Sequence, residues 1–239
     1  MNYRVLVTTC DKYVWITRIF AELFNKHWGS GCSVDVLCET KPTFELPGNF
    51  NVISVGEWPR DKWSNVVRNH IQRYKEKNVV LLLEDYLFTR DVDVNGVEIL
   101  SEYMTNNKDI LRIDLTADRL HSRGDSRAVD DVCTIKHYDI IEASDTSYQM
   151  SLQAGIFNIE LLSIILRDDI NPWQVELESQ YLIDNYRMRV FGTRQVPIKY
   201  INALGTGTPE GCINIKGIHP QTIERALQYH WIPEEYNLR

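Results

Sequence analysis

Short apolar runs alternate with amphipathic stretches along most of the chain, and this alternation predicts strands that alternate with helices. The runs typical of strands lie at residues 3–9, 33–38, 51–55, 79–83, 110–115, 149–157, 187–191 and 198–202. Apolar side chains at helical spacing occupy residues 15–28, 63–74 and 94–104, and further helices are predicted to begin at Asn158, Asn171 and His219. A strand, a helix and a strand within about the first forty residues form a βαβ unit. The predicted fold class is therefore α/β, with a mixed, mostly parallel central sheet flanked by helices.

The wholly apolar run at residues 79–83, which is β-branched at its start, predicts a central strand. Glu84 and Asp85 follow it at once. Parallel α/β sheets bind ligands at the carboxyl ends of their strands, so these two carboxylates lie where a ligand site is expected. Carboxylate oxygens suit a hard cation such as Mg²⁺ or Mn²⁺. The alternative is that the pair stabilises a loop or forms an ion pair with Arg90.

The composition is that of an ordinary globular chain. Of 239 residues, 44% are hydrophobic and 25% are charged, so a substantial core and a single domain are predicted. A formal net charge of -7 argues against broad binding to a nucleic-acid backbone, which needs clustered Lys and Arg. No apolar stretch approaches the length of a membrane span, and the first strand begins without a signal peptide, so a cytoplasmic location is predicted.

Several motifs that would indicate other classes of protein are absent from the sequence. Neither G-x-G-x-x-G nor G-x-x-x-x-G-K-[ST] occurs, which argues against dinucleotide-binding Rossmann enzymes and P-loop NTPases. The cysteines contain no C-x-x-C pair and are predicted to be buried thiols in a reducing compartment. They are Cys10, Cys32, Cys38, Cys133 and Cys212.

Three stretches between the predicted elements are candidates for ligand binding. Residues 116–131 are charged and aperiodic, and they predict a mobile loop over the site. Gly155 lies within a predicted strand, where a glycine can let the backbone approach a ligand closely. Residues 203–217 contain four glycines and predict a lid.

Glu176 falls early in a helix with a well-formed start. Asn171 can cap that helix, Pro172 suits its first position, and Gln174 can close a capping box. A carboxylate there is stabilised by the helix dipole, so a structural and a catalytic role are both open for Glu176. His70 lies on the apolar face of its predicted helix and is interpreted as a core histidine rather than a ligand.

Six motifs then follow one another in a characteristic order. They are V-L-V-T-T-C-D-K-Y-V-W at 5–15, V-D-V-L-C-E-T at 34–40, W-S-N-V-V-R-N-H-I at 63–71, L-L-L-E-D-Y-L-F at 81–88, S-L-Q-A-G-I-F at 151–157 and P-W-Q-V-E at 172–176. This series resembles the GT-A glycosyltransferases, in particular inverting members of family 2, which transfer a sugar from a nucleotide-sugar donor. The stretch E-D-Y takes the place of the family's D-x-D motif, and P-W-Q-V-E has one acid where many members have an adjacent pair.

The resemblance implies a single Rossmann-like GT-A domain, with a donor half at 1–108 and an acceptor half at 109–239 that ends in a lid and a helix. It implies donor contacts from Thr9, Asp11, Tyr13, Glu39, Arg68, Glu84, Asp85 and Tyr86. It implies acceptor contacts from Gln153, Gly155, Trp173 and Glu176, with Glu176 as the catalytic base and Asp85 as the second catalytic residue. A divalent cation, Mn²⁺ or Mg²⁺, would be bound by Asp85, Glu84 and His219. Because Tyr86 occupies the third motif position, either Asp93 supplies the missing carboxylate or Tyr86 packs on the donor without a metal.

Other functions fit parts of the same pattern. A nucleotidyltransferase on a related sheet would also place acids at strand ends, but it would be expected to have a glycine-rich, basic loop after the first strand. A non-catalytic module that binds a nucleotide or a sugar would keep the fold and lose the motif. A DNA-modifying enzyme would use Arg119, Arg123 and Arg127, against the acidic balance of the chain. The expected partners are therefore a nucleotide-sugar donor and a carbohydrate or other hydroxyl-bearing acceptor.

Overall fold

A computed structural model describes residues 2–146, 148–205 and 207–239. In it the chain divides into two compact units. Unit 1 comprises the residues up to Leu6, together with Trp58–Leu82 and Val94–Pro197. Unit 2 comprises Val7–Glu57, Leu83–Asp93 and Ile198–Arg239. Neither unit is continuous in sequence, because the chain passes between them several times. The division into halves at residue 108 stays a prediction.

The elements alternate as the apolar pattern predicts. The strands are β1 (Tyr3–Thr8), β2 (Val34–Cys38), β3 (Phe50–Ser54), β4 (Asn78–Leu83), β5 (Tyr86–Phe88), β6 (Ile110–Asp114), β7 (Asp130–Ile135), β8 (Tyr138–Glu142), β9 (Gly155–Asn158), β10 (Arg189–Thr193), β11 (Tyr200–Asn202), β12 (Cys212–Ile213) and β13 (Asn237–Leu238). The helices are α1 (Thr17–Phe24), α2 (Trp63–Ile71), α3 (Val94–Asn106), α4 (Ile159–Ile165), α5 (Pro172–Glu178), α6 (Gln180–Asn185) and α7 (Pro220–Gln228). Short 3₁₀ turns cover Val14–Ile16, Arg60–Lys62 and Arg119–His121, and a π turn covers Asn25–Gly29.

The main sheet has the strand order β3-β2-β1-β4-β9-β6-β10-β8-β7. Strand β9 is antiparallel to both of its neighbours, so β4 and β6 point in the same direction. The pairs β2–β3 and β6–β10 are parallel, and the β7–β8 hairpin completes one edge. The predicted fold class, α/β with a mixed and mostly parallel sheet flanked by helices, is confirmed.

Strand β4 lies inside the sheet between β1 and β9, as its apolar sequence predicts. Its residues from Asn78 to Leu82 are buried. Two short ladders accompany the main sheet, one between β5 and β11 and one between β12 and β13. Strand β5 begins directly after Glu84 and Asp85, so these acids form the turn between β4 and β5.

Aromatic side chains form much of the core of unit 2. Phe20 and Phe24 of α1 pack on Phe50 of β3 and on Phe88 of β5, with ring centroids 5.6–6.4 Å apart. The helical stretch ends where predicted, at Gly29, whose φ of +104° is a backbone conformation that glycine adopts readily. The predicted helical face therefore becomes the packed face of α1.

Unit 1 differs from the prediction in its polar stretches. The β7–β8 hairpin was not predicted, because β7 is largely exposed and polar and carries no apolar alternation. The predicted strand at 149–157 is shorter and covers only Gly155–Asn158. The prediction of a mobile loop at 116–131 is wrong at Arg119, which is buried in a 3₁₀ turn, and at Asp130, which begins β7.

Predictions made from capping residues are confirmed. Asn158 caps α4, Asn171 and Gln174 form a capping box at α5, and the His219 side chain caps α7. His70 is buried, and its Nε2 lies 3.0 Å from the Tyr74 hydroxyl, as expected for a core histidine. Across the residues that the structure describes, no helix has both the length and the apolar character needed to span a bilayer.

The cysteines are all free thiols, but their burial is uneven. Cys32, Cys38 and Cys212 are buried as predicted, and Cys10 is half-buried. Cys133 is exposed, which corrects the prediction for that residue. The reason is its position on β7, which is the edge strand of the main sheet and is largely exposed.

Candidate functional site

The carboxylate of Asp85 lies in the turn between β4 and β5 and is 8% exposed. Its Oδ2 accepts a hydrogen bond from the backbone N–H of Leu204 at 3.2 Å. Its backbone carbonyl accepts from the N–H groups of Leu87 at 3.0 Å and Ala203 at 2.9 Å. Backbone amides thus fix both the main chain and the side chain of Asp85, which gives the carboxylate a defined orientation.

The segment that begins at Ala203 wraps around Asp85. A Cβ added at Gly205 would lie 3.4 Å from Asp85 Oδ2 and 3.1 Å from the Cβ of Asn202, so a glycine lets the chain close on the carboxylate. Ala203 is fully buried, and it also accepts a hydrogen bond from the N–H of Asn214 at 2.9 Å. The start of the predicted lid is therefore anchored, and closure by the remainder of 203–217 stays a prediction. Thr206 within that stretch lies outside the described residues.

Both carboxyls of this turn are harder to ionise than ordinary ones. Burial raises the pKa of Glu84 to about 8, and the neighbouring charge of Asp85 adds to the effect. Burial also raises the pKa of Asp85, although the amides of Leu204 and Gly205 offset part of that rise. Two adjacent carboxyls that resist ionisation are a frequent sign of a functional site, because a cation or a polarised ligand would relieve the cost.

The carboxyl ends of β1 and β2 carry a second polar group. The N–H of Thr9 donates to Leu37 O at 2.9 Å, which aligns the two strand ends. Beyond it, the N–H of Asp11 donates to Glu39 Oε2 at 2.8 Å. The carboxylate of Asp11 in turn accepts from the backbone N–H and the hydroxyl of Thr40, at 2.9 and 2.8 Å. The predicted residues Thr9, Asp11 and Glu39 therefore lie together in unit 2.

The loop at 10–13 connects this group to the turn at Glu84. Burial raises the pKa of the Cys10 thiol, and the charges of Glu84 and Glu39 raise it further, so both carboxylates lie within electrostatic reach of one side chain. The half-buried ring of Tyr13 ends the loop, with Lys12 Nζ 5.1 Å from its centroid. Unit 2 thus brings six of the predicted donor residues to one region: Asp11, Tyr13, Glu39, Thr9, Glu84 and Asp85.

Two further predicted donor residues have other partners. Tyr86 is 3% exposed, and its ring stacks on Tyr200 with centroids 4.2 Å apart, which explains its burial without a ligand. Arg68 belongs to unit 1, where its Nη1 donates to Leu166 O at 2.8 Å and its guanidinium pairs with Asp168. Donor contacts from these two residues stay predictions.

The carboxylate of Glu176 is held at both oxygens within unit 1. Its Oε1 accepts from the backbone N–H of Leu152 at 2.6 Å, and its Oε2 accepts from the Tyr148 hydroxyl at 2.8 Å. Tyr148 has a φ of +71°, a left-handed conformation that few residues other than glycine adopt. Burial and the Glu176 carboxylate raise the pKa of Tyr148, so its hydroxyl remains a donor. Glu176 lies on α5 one turn after Trp173, a residue that is 53% exposed.

A cavity of about 460 Å³ lies beside Tyr148 in unit 1. This volume is within the range of small-ligand pockets. Its lining mixes an aromatic ring with charged and hydroxyl groups: Ala117, Asp118, Arg119, His121, Ser122 and Tyr148. The sequence predicts a loop over the site at residues 116–131. It predicts no role for Tyr148, because no pattern distinguishes this residue from an ordinary loop tyrosine.

A buried ion-pair cluster, which was not predicted, explains two glycines of unit 1. Asp114 at the end of β6 pairs with Arg112, and its Oδ2 lies 3.6 Å from Arg119 Nε. All three side chains are at most 2% exposed. A Cβ at Gly155 would lie 2.9 Å from Arg112 Nε, and one at Gly192 would lie 2.5 Å from Arg119 Cβ. Gly155 therefore makes room for an arginine, and a ligand contact there stays a prediction.

The predicted acceptor residue Gln153 contacts the same cluster. Its backbone carbonyl accepts a hydrogen bond from Arg112 Nη2 at 3.0 Å. The neighbouring residue Leu152 donates to Glu176, so the segment that leads into β9 links the arginine cluster to the predicted base. Gln153, Gly155, Trp173 and Glu176 all belong to unit 1.

The residues predicted to bind a divalent cation are Asp85, Glu84 and His219. In the described part of the chain, no three His, Cys, Asp or Glu side chains gather closely enough to hold a metal ion. His219 is exposed, and its Nδ1 accepts a hydrogen bond from the N–H of Gln221 at 3.3 Å as the cap of α7. Glu84 and Asp85 remain as two oxygen donors in one turn, a set that suits a hard cation completed by phosphate or water.

The fold has counterparts among solved structures. No protein-family model matches the sequence, and no curated protein matches it significantly. The crystal structure of S. aureus TarS aligns with a TM-score of 0.50 and 13% identity, over 85% of this chain and 37% of that one. The 1–349 portion of TarS gives 0.49 and 12%, over 85% and 61%. A cytidylyltransferase from Leptospira borgpetersenii serovar Hardjo-bovis (strain JB197) gives 0.48 and 12%, over 96% and 95%. The likeness to TarS shows a shared fold, and this chain spans little more than a third of that protein.

Proposed function

We propose that this protein is a glycosyltransferase that moves a sugar from a nucleotide-diphosphate sugar to an acceptor hydroxyl. The observation that carries the proposal is the turn at Glu84 and Asp85. It places two adjacent carboxyls with raised pKa values at the end of a central strand, beside the polar loop of β1. The fold shared with TarS agrees with the mixed α/β sheet that this proposal requires.

In this proposal unit 2 binds the donor. Asp11, Tyr13 and Glu39 contact the nucleotide, because they lie together at the carboxyl ends of β1 and β2. Asp85 and Glu84 lie at the diphosphate. A divalent cation bound by these two carboxylates would neutralise charge on the departing diphosphate. The amide of Leu204 donates a hydrogen bond to the Asp85 carboxylate, so this carboxylate has a fixed orientation in the site.

Glu176 and its neighbours serve the acceptor. Glu176 takes the proton of the acceptor hydroxyl, the acceptor oxygen forms a bond to the anomeric carbon, and the bond to the diphosphate breaks with its electron pair. Tyr148 and the amide of Leu152 hold the Glu176 carboxylate in place for this step. The exposed ring of Trp173 and the cavity beside Tyr148 offer surfaces for the acceptor. A single displacement of this kind inverts the configuration at the anomeric carbon.

A screen of nucleotide sugars tests this function. The UDP-, GDP-, CMP- and dTDP-sugars are titrated by calorimetry with and without Mn²⁺, and slow donor hydrolysis is followed by release of the nucleotide. The proposal predicts binding of at least one diphosphate sugar and its slow hydrolysis. Tight binding without turnover would indicate a non-catalytic module, and pyrophosphate release from a nucleoside triphosphate would indicate a nucleotidyltransferase. Retention of configuration in a transferred sugar would require a different role for Glu176.

A further inference from the structure

The last residues of the chain are fixed within unit 2. Strand β13 pairs with β12 in a short parallel ladder. The N–H of Arg239 donates to Ile213 O at 3.0 Å, and its carbonyl accepts from the N–H of Ile215 at 2.9 Å. Asn237 also donates to Gly211 O at 2.8 Å. The residue before this ladder, Tyr236, therefore has a defined position rather than that of a loose terminus.

Tyr236 lies against the loop that carries the predicted nucleotide contacts. Its ring centroid is 4.9 Å from that of Trp15, which follows Tyr13 in the 3₁₀ turn after β1. Burial raises the pKa of the Tyr236 hydroxyl, and the neighbouring Tyr13 raises it further, while Lys12 opposes the rise. The side chains of Tyr13, Lys12 and Tyr236 are thus within electrostatic reach of one another.

The rings and the acids of this region have complementary properties. Tyr13 and Tyr236 are both half-buried, so each keeps part of its ring available to a ligand. Asp11 and Glu39 lie at the same loop and supply carboxylate oxygens. Aromatic faces bind bases of any sequence by stacking, and carboxylates accept hydrogen bonds from ribose hydroxyls or from base N–H groups. Together these groups fit the nucleoside part of a nucleotide.

We propose that Tyr236 is a nucleotide-binding residue, and that its ring and that of Tyr13 form the aromatic surface against which the base of a nucleoside diphosphate packs. This inference rests on the proposed function, because it assigns a further residue to the same donor site. It gives the C-terminal segment a direct role: the β12–β13 ladder holds Tyr236 at the loop after β1. Specificity for the base is then shared between the loop after β1 and the segment that leads into β13.

The test is calorimetric titration of the full chain with UDP, GDP, CDP and dTDP. Tyr236→Ala and Tyr236→Leu are expected to bind the preferred nucleotide about 5- to 100-fold more weakly, the range that removal of one stacking ring produces. Tyr236→Phe should bind like the wild type, because the ring and not the hydroxyl is used. Tyr229→Ala is the matched control, since Tyr229 lies in the same C-terminal region and is 60% exposed.

The variants separate this inference from the proposed function. The leucine variant preserves apolar packing on Trp15, so a folding defect in the alanine variant would not remove the test; thermal unfolding identifies such a defect. If the wild type binds a nucleotide and Tyr236→Leu binds it equally well, Tyr236 is not a binding residue and the donor site stands without it. If the wild type binds none of the four nucleotides, the proposed function itself fails, and the inference fails with it.

Discussion

Asp85 and Asp114 are two buried carboxylates with different surroundings. Asp85 follows β4 and Asp114 is the last residue of β6, two strands inside the main sheet, and burial raises the pKa of each carboxyl. Asp114, whose pKa rises to about 6, pairs with two buried arginines. The partners of the Asp85 carboxylate among the described residues are backbone amides, those of Leu204, Gly205 and Asp85 itself.

The difference separates a structural acid from a candidate functional acid. The charges of Arg112 and Arg119 are buried, so removing Asp114 would leave both without their counter-ion. Asp85 has its orientation fixed by amides while its charge is not neutralised by a neighbouring cation of the described chain. A site of that kind gains when a ligand brings positive charge or hydrogen-bond donors. Position at a strand end is shared by both acids, so the partners decide between the two roles.

The strongest test of this comparison is Asp114→Asn. Loss of the counter-ion of two buried arginines should lower the free energy of unfolding by about 3–5 kcal/mol. Denaturation by urea measures the change. Asp109→Asn is the matched control. Asp109 is exposed and its ion pair with Arg189 is long, at 3.8 Å, so this substitution should change stability by less than about 0.5 kcal/mol. Equal stability of the two variants would mean that the buried ion pair is not structural.

A smaller loss of stability is expected when a glycine that makes room for Arg112 or Arg119 is replaced by alanine. Gly192→Ala and Gly155→Ala would place a methyl group 2.5 Å from Arg119 Cβ and 2.9 Å from Arg112 Nε. Each should cost about 1–3 kcal/mol of stability through overpacking. Gly48→Ala has no neighbouring atom within 4 Å of the new methyl group and should be neutral or slightly stabilising. Thermal unfolding of the three variants gives the comparison, and a neutral Gly192→Ala would contradict the packing described for Arg119.

The smallest effect is a dependence of stability on pH at Glu84. The folded protein holds this proton up to about pH 8, whereas an ordinary Glu loses it near 4.5. Between these values the folded state binds more protons than the unfolded chain, so stability falls as pH rises through the window. The Glu84 residue is only half-buried in its solvent accessibility, so screening by water leaves a fraction of this pKa shift as stability. Glu84→Gln removes that fraction of the loss and should raise the Tm at pH 9 by about 2–4 °C, equivalent to about 1 kcal/mol.

The pH series needs its own control. Glu57→Gln removes an exposed carboxylate and should leave the Tm unchanged relative to the wild type at both pH 5 and pH 9. If Glu84→Gln follows the wild type at every pH, the burial of the Glu84 carboxyl does not affect stability. The contrast between the two sites would then fail: the charge of Asp114 is balanced by two arginines, whereas burial of the acids at Glu84 and Asp85 would no longer be seen to cost stability.

Features set by local sequence were predictable. The apolar run of β4 and the polar residues after it placed Glu84 and Asp85 correctly at a strand end. Asn171 was predicted to cap a helix and His219 to begin one. These features depend on residues that are neighbours in the chain, so a pattern within a few residues is sufficient.

Features set by distant partners were not predictable. The sequence predicts a surface position for Arg119 in a charged loop, but the residue is buried, where Asp114 and Gly192 provide charge and space and the carbonyl of Gln149 accepts a hydrogen bond from it. The path of Ala203–Gly205 around Asp85 follows from hydrogen bonds that no local pattern encodes. For the same reason, the role of Glu176 could not be decided from its place in a helix, since Tyr148 and Leu152 hold it.

The most direct test of the proposed transferase is to measure donor binding and turnover separately in Asp85→Asn and Glu176→Gln. Asp85→Asn should weaken binding of the nucleotide-diphosphate sugar and reduce turnover, because a divalent cation at the diphosphate would lose one of its two carboxylates. Glu176→Gln should bind the donor like the wild type and lose about 10²- to 10⁴-fold in transfer, the usual contribution of a general base. Glu178→Gln, an exposed acid on the same helix, is the control. Near-normal donor binding and transfer in both folded variants would contradict the assignment of these two acids.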